Sequence, residues 1–222
     1  VILPRLANHH LLDDQAGFSR SLDWGLKWVV LLGLPASIGL SLLSEAILAS
    51  LFQHQAFTAS DTFMASRSLT AFASGLLGFV MIKILVPGFT ARHDTQTPLR
   101  LGYYSMLANL IFNFVLLIPL AHAGPALATS LAAYLNAAGL LVVMMKRGIY
   151  QPQSAWFGFL LRILFANLVM GTCLYLWLEA DLCRQWDLAE RSWQLLISIL
   201  GALMVYAVAL LVSGLRPSLL KY

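Results

Sequence analysis

The chain has 222 residues, 59% of them hydrophobic and 11% charged, with a formal net charge of +4 and a mean hydropathy of +0.78. A soluble domain carries about 25% charged residues, so this composition excludes an ordinary water-soluble domain and points to the membrane class. The positive balance does not indicate nucleic acid, because the cations form no basic stripe. They sit between apolar runs, where they set topology.

A helix that crosses a bilayer needs about 20 mostly apolar residues. The opening VILPRLANHH reads as the end of an apolar helix entering a polar loop, with no pattern of a cleaved signal, so a piece of a longer chain is expected. Residues 5–23 mix His9, His10, Asp13, Asp14 and Asp23 with Phe18 and Leu22 and read as a connector, or as a helix lying at the interface. The first span is 28–44, extending toward Phe52 and kinked at Pro35. The second runs from Ser68 to Phe89 and contains GLLG at 75–78. Spans at 101–121 and 126–145 are separated by a tight turn, His122-Ala-Gly-Pro125. The fifth covers Trp156 to Leu178, and the sixth Ser192 to about Leu215. Runs this long satisfy their backbone in lipid as helices.

On this map, eleven of the 14 Lys and Arg residues fall on one side; only Arg67, Arg184 and Arg191 fall on the other. That bias predicts that both ends and the 83–100 loop are cytoplasmic. Five of the six tryptophans lie at span ends, as an aromatic belt does.

No catalytic constellation is present: there is no GxSxG, HExxH, CxxC or GxxxxGK[ST], and Cys173 and Cys183 lack metal-type spacing. Ionisable groups inside spans are the better lead. Lys83 lies six residues, roughly 9 Å, inside the second span, and either faces a wet cavity that attracts an anion or snorkels to headgroups. Arg162, near the start of the fifth span, reads as snorkelling. Asn109 and Asn113, four apart on one helix face, line a polar path or bond between helices, and Asn136 and Asn167 share that reading. Gly75 with Gly78, and Ala128 with Ala132 and Ala133, are small surfaces for close packing. In RHDTQTPLR, Thr97-Pro98 suits the start of a helix, Asp94 is expected to pair with Arg92 or Arg100, and the cations suit a lipid phosphate.

The stretch KILVPGFTARHDTQTPLR at 83–100 resembles a signature of the MurJ/MviN family of bacterial lipid II flippases. The agreement includes Lys83, Pro87, Gly88, Phe89, Arg92, Asp94, Thr97 and Pro98. ILPRLA at 2–7, SLFQHQAFTASDT at 50–62 and HAGPALATSLAAYLNA at 122–137 look like the family in the same order, whereas Thr90 stands where an aromatic is common. The resemblance implies an all-α polytopic bundle of about six transmembrane helices, part of a two-lobe transporter of the MOP exporter superfamily. Residues 1–27 would be the end of a preceding helix and a connector, and 28–147 four helices of the second lobe. Residues 148–222 would be a linker, two extra helices with a groove suited to a polyprenyl tail, and a cytoplasmic tail.

It further implies transport of lipid II by alternating access in the bacterial inner membrane, without a cofactor, coupled to the membrane potential or a monovalent ion. Lys83 is then a candidate cavity cation, and Arg92 and Arg100 candidate gate contacts. The partners implied are lipid II, membrane lipids, the absent N-terminal half with its cavity arginines, and cell-wall synthesis proteins. Two other readings stand beside this one: a multidrug or lipid-linked sugar exporter of the same fold, and a non-transporting scaffold. A buried acidic coupling site would favour the drug exporter, and the predicted spans hold no acid beyond their ends.

Overall fold

The computed structural model describes residues 14–52, 58–153, 156–178 and 188–214. Among them every regular element is helical: α1 Gln15–Leu42, α2 Ser44–Phe52, α3 Ala59–Ser74, α4 Leu76–Thr90, α5 Gln96–Leu120, α6 Gly124–Lys146, α7 Trp156–Trp177 and α8 Leu188–Val212. A 3₁₀ turn, Ala121–Ala123, joins α5 to α6. Five stretches are long and apolar enough to cross a membrane. One of them, Gln96–Lys146, holds both α5 and α6, so the expected six crossings are present.

The second half of the stretch 5–23, expected as a connector or an interfacial helix, is helix and forms the buried first turns of α1. Asp14 caps α1 by accepting from the amide of Gly17 at 2.8 Å, and the two turns that follow bury Phe18, Leu22 and Asp23. Residues 5–13 lie outside the described region. The polar letters misled because Arg20 points outward while Phe18, Leu22 and Leu26 form one inward stripe. Beyond Leu42 the expected extension toward Phe52 exists, but as the separate helix α2 after a turn at Leu43.

The second span is also two helices. Ala59–Ser74 and Leu76–Thr90 meet at Gly75, where a methyl group would sit 2.6 Å from the Cα of Ser130. Only glycine lets the backbone of α6 approach this closely. At Gly78 a methyl would lie 3.1 Å from the amide nitrogen of Tyr134. With Ala128, Ala132 and Ala133 buried on α6, the small-residue surfaces are packing surfaces, as expected.

α1 is the shared wall. At the end where α1 begins and α4 finishes, here called the basic end, Phe18, Leu22 and Leu26 pack with Leu85 and Phe89 of α4, Leu140 and Met144 of α6, and Ile149 and Tyr150 of the α6–α7 linker. Further along, Val30 and Leu31 meet Phe159 and Ile163 of α7. Ala166 and Met170 of α7 then pack with Tyr206 and Ala209 of α8. α5 leans on α6 and buries only Ser105, so Leu99, Phe114 and Ile118 turn outward. An outward apolar face suits a helix whose solvent is hydrocarbon.

Candidate functional site

The signature stretch folds as the end of α4, a turn and the start of α5. Pro87 lies inside α4 and has no amide hydrogen for the carbonyl of Lys83. Gly88 lets α1 and α6 close on α4: a methyl there would meet Met144 Cε at 2.6 Å and Leu22 Cδ2 at 3.2 Å. The helix stops by reversing one residue. His93 adopts φ 58°, its amide donates to Thr90 O at 3.0 Å, and the amide of Asp94 donates to Phe89 O at 3.1 Å. This is the paired bonding of a Schellman C-cap, with histidine at the left-handed position.

Asp94 then starts α5. Its Oδ1 accepts from the Thr97 amide at 3.0 Å, and its Oδ2 from the Thr97 hydroxyl at 2.6 Å. The capping group is thus Asp94 rather than Thr97, and Pro98 occupies the first turn, where its missing donor costs nothing. The ion-pair partner is neither Arg92 nor Arg100. Arg147, at the end of α6, places Nη1 2.6 Å from Asp94 Oδ2 and donates from Nη2 to Thr97 Oγ1 at 3.1 Å. The two Thr97 bonds first, and Arg147 after them, hold the Asp94 carboxyl down at about 2. Arg92 stacks over the Phe18 ring at 5.6 Å.

A second polar centre lies deeper at the same end. The Asp23 carboxylate is 1% exposed. It pairs with Lys27 Nζ at 2.6 Å and accepts from Tyr150 Oη at 2.8 Å and from Trp156 Nε1. Lys27 also reaches Gln153 Oε1 at 3.3 Å and sits 6.0 Å from the Trp156 ring centre. Burial, and then the neighbouring carboxylate, push the Tyr150 phenol up, which keeps it a donor. An acid therefore does lie inside a span, contrary to the expectation of none beyond the span ends. It is occupied by three donors from α1, the linker and α7.

Among the described residues, Lys83 and Arg100 are both exposed and neither has a hydrogen bond or ion pair. They are the cations of the signature left available. Asn109 and Asn113 do share a face, but pair with each other: Asn113 Nδ2 donates to Asn109 Oδ1 at 2.8 Å and to its carbonyl at 2.9 Å. That local pairing replaces the expected interhelical bond. Asn136 and Asn167 each keep a buried side-chain oxygen without a partner. Arg162 donates to Gly214 O at 3.3 Å, tying α7 to the carbonyls just past α8. No group of His, Cys, Asp and Glu with metal-holding geometry occurs among the described residues. Between α7 and α8 a cavity of about 240 Å³ is lined by Cys173, Leu174, Trp177, Ile197, Ser198, Gly201, Ala202 and Val205.

The family model described as "Lipid II flippase MurJ" matches residues 1–196. The chain belongs to the MurJ family. A protein of Vibrio cholerae described as a probable lipid II flippase MurJ is 37% identical over 223 residues, covering 100% of this chain and 42% of the relative. Its counterpart in Haemophilus influenzae is 36% identical over 97% of this chain and 44% of the relative. A solved structure titled "Lipid II flippase MurJ, inward closed conformation" matches with a TM-score of 0.76 at 25% identity, over 99% of this chain and 42% of that one. The chain spans less than half the length of these relatives. It is a multi-pass membrane chain with the helical architecture of a MurJ transporter.

Within this MurJ-family chain, reading the sequence missed Arg147, Asp23, Tyr150 and Trp156 as polar anchors. Apart from the i,i+4 pair of Asp23 with Lys27, their partners lie 50 to 133 residues away.

Proposed function

We propose that this chain is the C-terminal part of a lipid II flippase that carries the lipid-linked peptidoglycan precursor from the inner to the outer leaflet by alternating access. The observation that carries the reading is the family match over residues 1–196. The geometry supports a division of labour. Arg92, Asp94, Thr97 and Arg147 are spent on architecture, whereas Lys83 and Arg100 are left to meet an anionic headgroup or pyrophosphate. The cavity between α7 and α8 is apolar and suits an acyl or prenyl chain.

The basic end faces the cytoplasm of a bacterial inner membrane on this reading, since it carries most of the cations. The missing N-terminal half supplies the other wall of the cavity. The membrane potential or a monovalent ion drives the cycle, at about 2.3 kcal/mol per charge per 100 mV. Lipids, and proteins of cell-wall synthesis, are its neighbours. The drug-exporter reading is less favoured because the one buried acid of the described spans, Asp23, already holds Lys27.

The test is restoration of lipid II arrival at the outer leaflet in cells depleted of their own flippase, using the chain rejoined to its N-terminal half. Intact protein should restore it, and Lys83→Ala should abolish it at normal abundance. Failure of the inserted intact protein overturns the flippase reading. Full activity of Lys83→Ala removes Lys83 from the cavity.

A further inference from the structure

The stretches α1 and α3–α4 each lose a helix hydrogen bond, at Pro35 within the continuous α1 and at Gly75 between α3 and α4, and the two points face one another. α1 runs antiparallel to α3–α4. A methyl on Gly33 would lie 3.1 Å from Leu77 Cδ1, and Ser37 Oγ donates to Ala73 O at 2.7 Å. Counting inward from both contacts brings Pro35 opposite Gly75.

Each interruption frees carbonyls that hydrocarbon cannot solvate. Pro35 has no amide hydrogen for Leu31 O, and the Tyr206 hydroxyl of α8 donates to it at 2.7 Å. The amide of Gly75 turns to Phe72 O at 3.0 Å instead of Ala71 O. Ala71 O receives both Ser130 Oγ of α6 and Ser74 Oγ of its own helix at 2.7 Å, Ala73 O receives Ser37, and Ser74 O receives the Tyr134 hydroxyl at 2.7 Å. Four helices thus contribute hydroxyls or carbonyls to one layer.

We propose that this Pro35–Gly75 layer is a hinge, and that Ser37, Ser130, Tyr134 and Tyr206 are positioning residues that keep its carbonyls satisfied while it bends. The inference rests on the transporter reading, because only a protein that changes shape in its cycle has to keep these carbonyls satisfied through a bend. Bonds from side-chain hydroxyls can rotate and exchange, whereas helix amides cannot leave their carbonyls without unwinding a turn. Ser130 shows the exchange set already assembled: its Oγ lies 2.7 Å from Ala71 O, 3.2 Å from Ala126 O and 3.3 Å from Phe72 O, though its one proton serves one acceptor at a time. At the basic end, by contrast, Asp23 bonds α1 to the α6–α7 linker and α7, and Asp94 with Arg147 bonds the start of α5 to the end of α6. The part of α1 beyond Pro35 and the whole of α3, with α2, are therefore the part that tilts.

The experiment uses the full-length protein in nanodiscs, with Cys173, Cys183 and any other native cysteine replaced, and spin labels at two pairs of exposed positions. Ser60 with Thr172 reports across the far end, and Arg20 with Lys146 across the basic end. Combining Tyr134→Phe with Ser130→Ala should broaden or shift the far-end distance distribution and leave the basic-end one unchanged. Flipping should fall while abundance holds. Tyr134 is 38% exposed, so Tyr134→Phe alone removes an oxygen without disturbing a core, and should give a smaller change of the same kind. Ser37→Thr, which keeps the hydroxyl, should match wild type. Unchanged far-end distances, or equal broadening of both pairs, overturn the hinge. Failure of wild type to restore flipping sinks the flippase reading instead, and the distances, which need no substrate, still decide the hinge.

Discussion

Arg147 reaches back from the end of α6 to Asp94 at the start of α5, 2.6 Å from guanidinium to carboxylate, and so closes the turn that carries the family signature. The pair is half open to solvent, with side chains 51% and 25% exposed, so its coupling should be about 0.2–1 kcal/mol. A double-mutant cycle on Arg147→Ala and Asp94→Ala, followed by unfolding in detergent, measures it. Because Asp94 titrates at about 2 when folded and near 3.9 when unfolded, its stabilisation is complete above about pH 4 and is lost as pH falls from there toward about 2. The melting difference between wild type and Asp94→Asn should stay flat from pH 8 to pH 5 and narrow only below. Narrowing between pH 7 and pH 5 would show that another group is responsible.

Removing the Asp23 carboxylate should be far more damaging. Asp23→Ala strands the Tyr150 hydroxyl and the Trp156 indole N–H and leaves the Lys27 ammonium only Gln153 Oε1 in a largely buried site, at a cost of about 3–5 kcal/mol. Tyr150→Phe added to that background should cost little more, because its acceptor is already gone. Additive losses would mean that the three donors act independently.

Two of the glycines that admit α6, Gly75 and Gly88, should differ in tolerance. At Gly75 a methyl meets the Cα of Ser130 at 2.6 Å, and backbone cannot step aside. At Gly88 the obstacle is Met144 Cε, the flexible end of a side chain. Gly75→Ala should therefore lose about 1–3 kcal/mol by overpacking, and Gly88→Ala clearly less. Thermal shift in detergent ranks them; the reverse order would refute the packing argument.

His93 holds φ 58° at the end of α4, a region that costs an L-residue roughly 1–2 kcal/mol and β-branched residues most. Stability should follow the order His93→Gly, wild type, His93→Val. If His93→Gly is the least stable of the three, a side-chain contact of His93 outweighs backbone strain.

The spans were legible because a membrane helix announces itself by length and composition, and Gly75, Gly78 and Ala128 announced close packing by size alone. The start of α1 was not, because Arg20 and Asp23 look equally hydrophilic in a string although one is exposed and the other 1% exposed. The difference comes from Tyr150 and Trp156, 127 and 133 residues away. The break at Gly75 was hidden for a related reason: its hydroxyl donors sit on α1 and α6, so GLLG within an apolar run shows only small residues. For the signature turn, neighbours in sequence implied pairing with Arg92 or Arg100, and the fold delivered a third arginine from outside the motif.

The Asp23 centre bears on how this architecture can be shortened. The donors that complete it, Tyr150 and Trp156, belong to the segment leading into the last two helices. A version of this bundle ending after α6 would keep the buried Asp23 with only Lys27 of its three donors. Removing the terminal pair is expected to destabilise α1 unless Asp23 and Lys27 are replaced together, because a half-paired buried charge costs more than none. The last two helices are thus coupled to α1 through a buried charge as well as through apolar contact.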